Sequence, residues 1–324
     1  MSELIYLGGG DLDRLGFAIP EIIPHLEEIF RLKAEGGTLM PPKIFFHRGG
    51  ARFYSSMVSC APELGYAGCK WQSGDPENLG RGLPYIQGLY ILSEDATGRP
   101  IAIMDSRWIT GNRTAAATAV AAKHLARRDS KTLAILGCGL QGRKNVEALR
   151  AVLPGLNRCQ AYDIIPEREQ AFVAEMRERL GIELLGTGSA EAAVRGADIV
   201  VTAGPIEERR KPVIVPAWLK PGSLVVTLDY DSYITDEAVI AMDLVLTDDH
   251  GQIEDARRYE GKFTGVHRID AELGELIASG RGAREREDQR ILVFNLGIAL
   301  EDLATAVEIL RRAEREGVGT KLPL

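Results

Sequence analysis

From Lys131 onward, short apolar runs without polar alternation are separated by amphipathic stretches, and this alternation constrains the fold more than any other feature. Thr132–Leu136 has no alternating polar positions, as expected of a strand buried on both faces. Residues 141–153 carry Val146, Leu149 and Val152 at three-residue spacing with Pro154-Gly155 behind them, which predicts a helix. The pattern then repeats. Strands are expected at 159–162, 182–185, 197–202, 224–228 and Leu244–Thr247. Helices are expected at Pro166–Leu180, with Phe172, Met176 and Leu180 on one stripe, and at Ala190–Val194, capped by Ser189. Such alternation over ~150 residues implies a parallel sheet with helices on both faces.

The first 110 or so residues read differently. An amphipathic helix at 22–34 (Ile22, Leu26, Ile29, Phe30) precedes β-type runs at Ile44–His47, 53–58, 66–71, 85–92 and 101–104. Gly49-Gly50 and Asp95-Ala96-Thr97-Gly98 look like hairpin turns between them. Residues 108–113 lead into an Ala-rich helix at 114–126, and a last long helix at 297–316 places Leu300, Leu303, Val307 and Leu310 on one face. The length of 324 residues fits two cores. The expected division is an antiparallel-sheet domain of residues 1–128 with 299–324, and a doubly wound α/β domain of residues 129–298 inserted into it.

Composition narrows the function. A net charge of −7 argues against nucleic acid, which needs a basic face. No run approaches the ~20 apolar residues of a membrane span, and the N-terminus lacks the basic start and apolar stretch of a signal peptide. Cys60, Cys69, Cys138 and Cys159 show no Cys-x-x-Cys spacing, and the five histidines show no ligand spacing, so a reducing cytoplasm and no metal are expected.

The chemistry starts at Gly137-Cys138-Gly139-Leu140-Gln141-Gly142, directly after a buried strand and at the mouth of a helix. In this setting Gly137 allows the tight turn, Gly139 lets a pyrophosphate approach the backbone, and Gly142 lets helix and strand pack closely. Free N–H groups through Leu140 and Gln141 and the positive helix end favour the anion. Asp163 lies 21 residues beyond Gly142, at the end of the next strand, where a carboxylate accepts both ribose hydroxyls of NAD and repels a 2′-phosphate. The cofactor reading is therefore NAD; NADP stays open because Arg158 and Arg168 could flank a 2′-phosphate. This is a Rossmann dinucleotide-binding domain by its pattern. Cys138 reads as a small filler.

Three cations in the first half stand out. Lys43 follows Pro41-Pro42, Lys70 is flanked by Tyr66, Cys69 and Trp71, and Arg113 opens the Ala-rich helix. A lysine in an apolar setting has its ammonium pKa lowered and becomes available as acid or base. On pattern alone the plainer reading is favoured, a lysine stem along an edge strand with its head in water. Arg113 fits a surface ion pair as well as an anion clamp.

A longer series of residues resembles the ornithine cyclodeaminase/μ-crystallin family over essentially the whole chain. It comprises Met40-Pro41-Pro42-Lys43, Lys70, Asn78 before Gly82-Leu83-Pro84, and Thr97-Gly98. It continues with Thr110 and Arg113-Thr114-Ala115-Ala116, the glycine turn, Leu219-Lys220-Pro221-Gly222 followed by Asp231, Gly297-x-Ala299-Leu300-Glu301-Asp302, and Gly319-Thr320-Lys321. The resemblance implies a substrate-binding and dimerising α+β domain joined to the Rossmann domain, a homodimer, and a small amino-acid or imino-acid substrate. It implies that Lys70 and Asp231 are catalytic, that Lys43, Lys70 and Arg113 bind the substrate carboxylate, and that Thr110, Arg113 and Gly297 join the glycine turn and Asp163 around NAD. The activity expected is hydride transfer at the α-carbon of a small amino acid or its cyclic imine. The alternatives are ornithine cyclodeamination, with NAD recycled, and a non-catalytic crystallin-like binder. Two departures bear on this: many members carry Arg where Lys43 stands, and the cyclodeaminase glutamate that positions the ornithine amine falls on about Ser55. The family's cyclodeaminase chemistry is thereby disfavoured relative to dehydrogenation or imine reduction.

Overall fold

The computed structural model describes residues 3–49 and 52–324. The chain divides into two compact units, residues 1–113 with 298–324 and residues 114–297. The division falls inside the Ala-rich helix Ser106–Leu125, fifteen residues earlier than the sequence boundary at 128–129. That helix begins at Ser106 because Asp105 caps it: its carboxylate accepts the Arg107 amide at 2.7 Å.

In the first unit, strands β1 (Glu3–Leu7), β2 (Ile44–His47), β3 (Phe53–Ala61), β4 (Tyr66–Gly74), β5 (Ile86–Glu94) and β6 (Pro100–Asp105) form one sheet with the last strand, β15 (Thr320–Pro323). The order is β15-β1-β6-β5-β4-β3-β2. The β2 to β6 meander is antiparallel as expected, but β1 pairs with β6 in parallel, so the sheet is mixed. The expected turn at Gly49-Gly50 falls partly outside the described residues. Alternation along β3 and β4 sends one set of side chains outward and the other inward; the helices Ile19–Ala34 and Ala299–Glu316 pack on each other, and the second of them lies on that inward face. Pro24 lies within the first of these helices, which nonetheless runs on to Ala34.

The second unit is an eight-stranded sheet ordered β13-β12-β14-β11-β10-β7-β8-β9. Its strands are β7 (Thr132–Leu136), β8 (Arg158–Tyr162), β9 (Glu183–Gly186), β10 (Ile199–Thr202), β11 (Leu224–Thr227), β12 (Leu244–Thr247), β13 (Ala271–Glu272) and β14 (Ile291–Phe294). All its pairings are parallel, and β7, β10, β11 and β14 are almost wholly buried. The apolar run at Ile291–Phe294, which the sequence reading passed over, is the strand between β11 and β12. The order reverses between β7 and β10, and at such a switch point an open α/β sheet takes a ligand outside its carboxyl ends. No helix among the described residues is long and apolar enough to cross a membrane.

Candidate active site

Lys70 is on β4 and, by the register of the meander, faces the same way as Met57 on β3 and Tyr90 on β5. This is the inward face, so Lys70 is 0% exposed and is not the edge lysine that pattern alone favours. The helix Ala299–Glu316 lies against it, its start tied down by the Ser59 hydroxyl, which donates to the Ala299 carbonyl at 3.0 Å. That first turn delivers two acids. Lys70 Nζ stands 2.7 Å from Asp302 Oδ2 and donates to Thr110 Oγ1 at 3.2 Å. Arg113 donates through Nε to Asp302 Oδ1 at 3.0 Å and through Nη1 to Glu301 Oε2 at 2.7 Å. Both cations therefore converge on one carboxylate.

The electrostatics follow from this burial. Loss of hydration pulls the Lys70 ammonium down from its usual 10.5 to about 8, against the pull of Asp302, with Arg113 and Lys43 adding repulsion. Burial also opposes the charge of Arg113, but Asp302 and Glu301 outweigh it and hold the guanidinium above its ordinary value. Lys43, just before β2, has its ammonium 5.6 Å from the Phe45 ring centre. Tyr90 is buried beside the cluster, and a side chain at Gly68 would place its Cβ 2.1 Å from the Tyr90 hydroxyl. Ser55 is also fully buried on this inward face, so a neutral hydroxyl occupies the strand position discussed above.

In the second unit the glycine turn has the geometry its spacing predicts. Gly137 adopts φ +107°, and a Cβ there would lie 2.6 Å from the Ala203 carbonyl; one on Gly142 would lie 2.3 Å from the Gly137 oxygen. A Cβ on Gly139 would meet nothing within 4 Å, which leaves backbone open to an approaching pyrophosphate. The helix Leu140–Val152 starts with no side-chain cap, so its first N–H groups are available to an anion. Asp163 braces the turn: Oδ2 accepts the Cys138 amide at 2.8 Å and Oδ1 the Ile165 amide at 2.9 Å. Each oxygen keeps a second lone pair. These residues fit a dinucleotide. Burial pushes the Cys138 thiol up to about 12, in keeping with a filler role.

Two acids follow β11. Asp231 Oδ2 accepts the Phe263 amide at 2.8 Å and lies 3.1 Å from Arg210 Nε, while its Oδ1 has no hydrogen-bond partner among the described residues. Asp229, which the sequence reading noted only as a neighbour, accepts the Thr202 hydroxyl at 2.7 Å and the Gly204 amide at 3.1 Å. Burial raises its carboxyl to about 7, and Asp231 contributes in the same sense. Gly297 adopts φ +78° and donates its amide to Asp248 at 2.6 Å. Sequence reasoning assigned no role to Glu301 or Asp302: acids in the first turn of a helix are common because the dipole favours them, and only their burial shows otherwise.

The structure thus brings Lys43, Lys70, Thr110 and Arg113 together in one unit, and the glycine turn, Asp163, Asp231 and Gly297 belong to the other. A Rossmann sheet with an open phosphate turn, inserted into a mixed-sheet domain that buries a lysine–arginine–carboxylate cluster, defines a dinucleotide-dependent enzyme class. Residues 13–317 match the model of the ornithine cyclodeaminase/mu-crystallin family, and the chain belongs to that family. It is 33% identical over 315 residues to an alanine dehydrogenase of Archaeoglobus fulgidus, covering 94% of each chain. Among solved structures it is similar to the Δ1-pyrroline-2-carboxylate reductase of Thermococcus litoralis in complex with NADH and L-proline (TM-score 0.88, 30% identity, 98% of this chain and 99% of that one). It is also similar to an archaeal alanine dehydrogenase dimer with bound NAD (TM-score 0.88, 31% identity, 100% of both chains).

Proposed function

We propose that the protein is an NAD(H)-dependent oxidoreductase acting at the α-carbon of a small amino acid or its cyclic imine. The observation that carries this reading is the fully buried Lys70, held beside Arg113 by a shared carboxylate. The bound nicotinamide supplies or accepts the hydride. Gly137, Gly139, Leu140, Gln141 and Gly142 hold its pyrophosphate, Asp163 its adenosine ribose, and Thr110, Arg113 and Gly297 complete the cofactor contacts. Arg113 has five N–H donors and Lys70 three; Asp302, Glu301 and Thr110 take part of these, and the remainder bind the substrate carboxylate together with Lys43. With its pKa near 8, Lys70 exchanges a proton with the substrate nitrogen close to neutral pH. Asp231 is the acid–base partner of that nitrogen through its unpartnered Oδ1, whereas both oxygens of Asp229 are engaged.

The test is NADH oxidation with pyruvate plus ammonia, Δ1-pyrroline-2-carboxylate and Δ1-piperideine-2-carboxylate. Turnover of at least one is expected. No turnover across such a panel, or formation of proline from ornithine without net NADH change, would overturn the reading.

The same reading includes a homodimer. The outward face of the first sheet exposes Ile44, Phe46, Val58, Trp71, Leu89 and Ile91, with Trp71 48% exposed and stacked on Tyr54. An apolar face of this extent marks an association surface. Sedimentation should give a dimer, and Trp71→Asp should shift it toward monomer. The four cysteines are free thiols, which suits a cytoplasmic setting.

A further inference from the structure

By the register of the meander, side chains on the inward face of the first sheet stand in rungs. Met57, Lys70 and Tyr90 make one rung across β3, β4 and β5. The next rung on one side holds Ser59, which ties down the start of the helix Ala299–Glu316. The next rung on the other side holds Phe45 of β2, Ser55, Gln72 and Gly88. Ser55 is 0% exposed and Gln72 8%, yet neither Ser55 Oγ nor Gln72 Oε1 has a hydrogen-bond partner among the described residues. Two buried polar groups directly opposite each other, both unmet, are costly unless a ligand completes them.

The surroundings define that ligand. In the rung beyond, a Cβ on Gly74 would lie 2.3 Å from the Phe53 ring, and the Phe45 and Phe53 ring centres are 5.3 Å apart, so aromatic rings border the polar pair on its far side. None of the four side chains in the polar rung is charged. Asp302 and Glu301 lie against Lys70 and Arg113, and Lys43 is near enough to Lys70 to repel its charge. A cationic side chain here would meet positive charge and no carboxylate in the rung. Successive rungs are ~7 Å apart, roughly the reach from a substrate carboxylate at Lys70 to a group three or four bonds beyond the α-carbon.

We propose that Gln72 and Ser55 form the subsite for the substrate's side chain, and that this side chain carries a neutral hydroxyl or carboxamide. The assignment deepens the oxidoreductase reading above and rests on it. A substrate hydroxyl donates to Gln72 Oε1 and accepts from Ser55 Oγ, so one group satisfies both. An apolar side chain leaves both unmet, which is how a site built for hydrogen bonds rejects an analogue that lacks them.

Pairs of matched shape test this: homoserine against norvaline, in which a methyl replaces the hydroxyl, and glutamine against ornithine, in which an aminomethyl group replaces the carboxamide. With NAD, wild type should oxidise homoserine at least tenfold better than norvaline by kcat/KM, and glutamine at least tenfold better than ornithine. Calorimetric titration of the NADH complex with the same amino acids, where no hydride moves, should give the same order. In Gln72→Met the homoserine-to-norvaline ratio should fall to within about twofold of one. Ser55→Ala should lower it in the same direction and covers the case in which the methionine variant fails to fold. A merely structural role for either residue would depress both amino acids alike and leave the ratio where it was. Turnover of alanine alone, equal use of homoserine and norvaline, preference for ornithine over glutamine, or a ratio unchanged in the variants would overturn the subsite and leave hydride transfer standing. No turnover of alanine, of these four amino acids or of the imine panel would overturn the oxidoreductase reading and the subsite with it.

Discussion

Replacing Asp302 by asparagine keeps the shape of the side chain and removes its charge from between Lys70 and Arg113. In the wild-type protein burial holds Lys70 at about 8, and Asp302 is the strongest influence opposing a further fall. An opposite charge in contact is worth about one to three pKa units, so Lys70 in Asp302→Asn should titrate lower by about that amount. At about 1.4 kcal/mol per unit this is about 1.4 to 4 kcal/mol, comparable with the ~3–5 kcal/mol lost when a buried ion pair is broken by removing one partner. The assay is kcat/KM for imine reduction across pH 6 to 10, with NADH affinity measured in parallel. On the proposed mechanism reduction needs the protonated ammonium, so activity should fall as pH rises through the Lys70 pKa, and this limb should move to lower pH in the variant. Stability gives a second readout. The folded pKa lies below the unfolded value, so the unfolded chain binds more protons between pH 8 and 10.5 and the unfolding free energy rises with pH in that window. In Asp302→Asn the rise should begin at lower pH. An unmoved limb, or one displaced upward, would refute the assignment of Lys70 and Asp302 as a coupled pair.

Three further outcomes follow from other contacts. Gly142→Ala puts a Cβ 2.3 Å from the Gly137 oxygen, so the turn must open, and NADH affinity measured by fluorescence should drop at least tenfold. Asp229 has a folded pKa of about 7 against 3.8 unfolded, so the folded state holds the extra proton in between and stability falls as pH rises from 4 to 7; urea titrations should show that slope vanish in Asp229→Asn, a difference of up to about 4 kcal/mol at neutral pH. Arg210→Ala leaves the buried Asp231 with only the Phe263 amide, and denaturation should report a loss of roughly 3 kcal/mol that Asp231→Asn partly restores.

The second unit was legible because its signals are local. A strand buried on both faces needs an unbroken apolar run, and Gly142 is required by contacts with Ile135 and Gly137, whereas the Ala203 and Gly204 backbone that requires Gly137 lies far along the chain, beyond β10. β14 was missed although Ile291–Phe294 is just such a run, since it is separated from its neighbours β11 and β12 by long connections. In the first unit the meander was legible and the parallel β1 was not, because its partners lie at residues 102–104 and 320–323. The same distance hid the chemistry. Lys70 and Arg113 were visible as cations, but their burial depends on a helix that begins at Ala299, and nothing near Glu301 or Asp302 marks them as other than ordinary first-turn acids.

The pairing of β1 with β15 also sets an order of events during synthesis. Leu4 finds Leu322 only after the whole inserted unit has been made, and Lys70 likewise waits for Asp302. Residues 114–297, by contrast, hold all the strands of their own sheet. On the ribosome the inserted unit can therefore reach its final form while the unit around it still waits with a lysine and an arginine uncompensated.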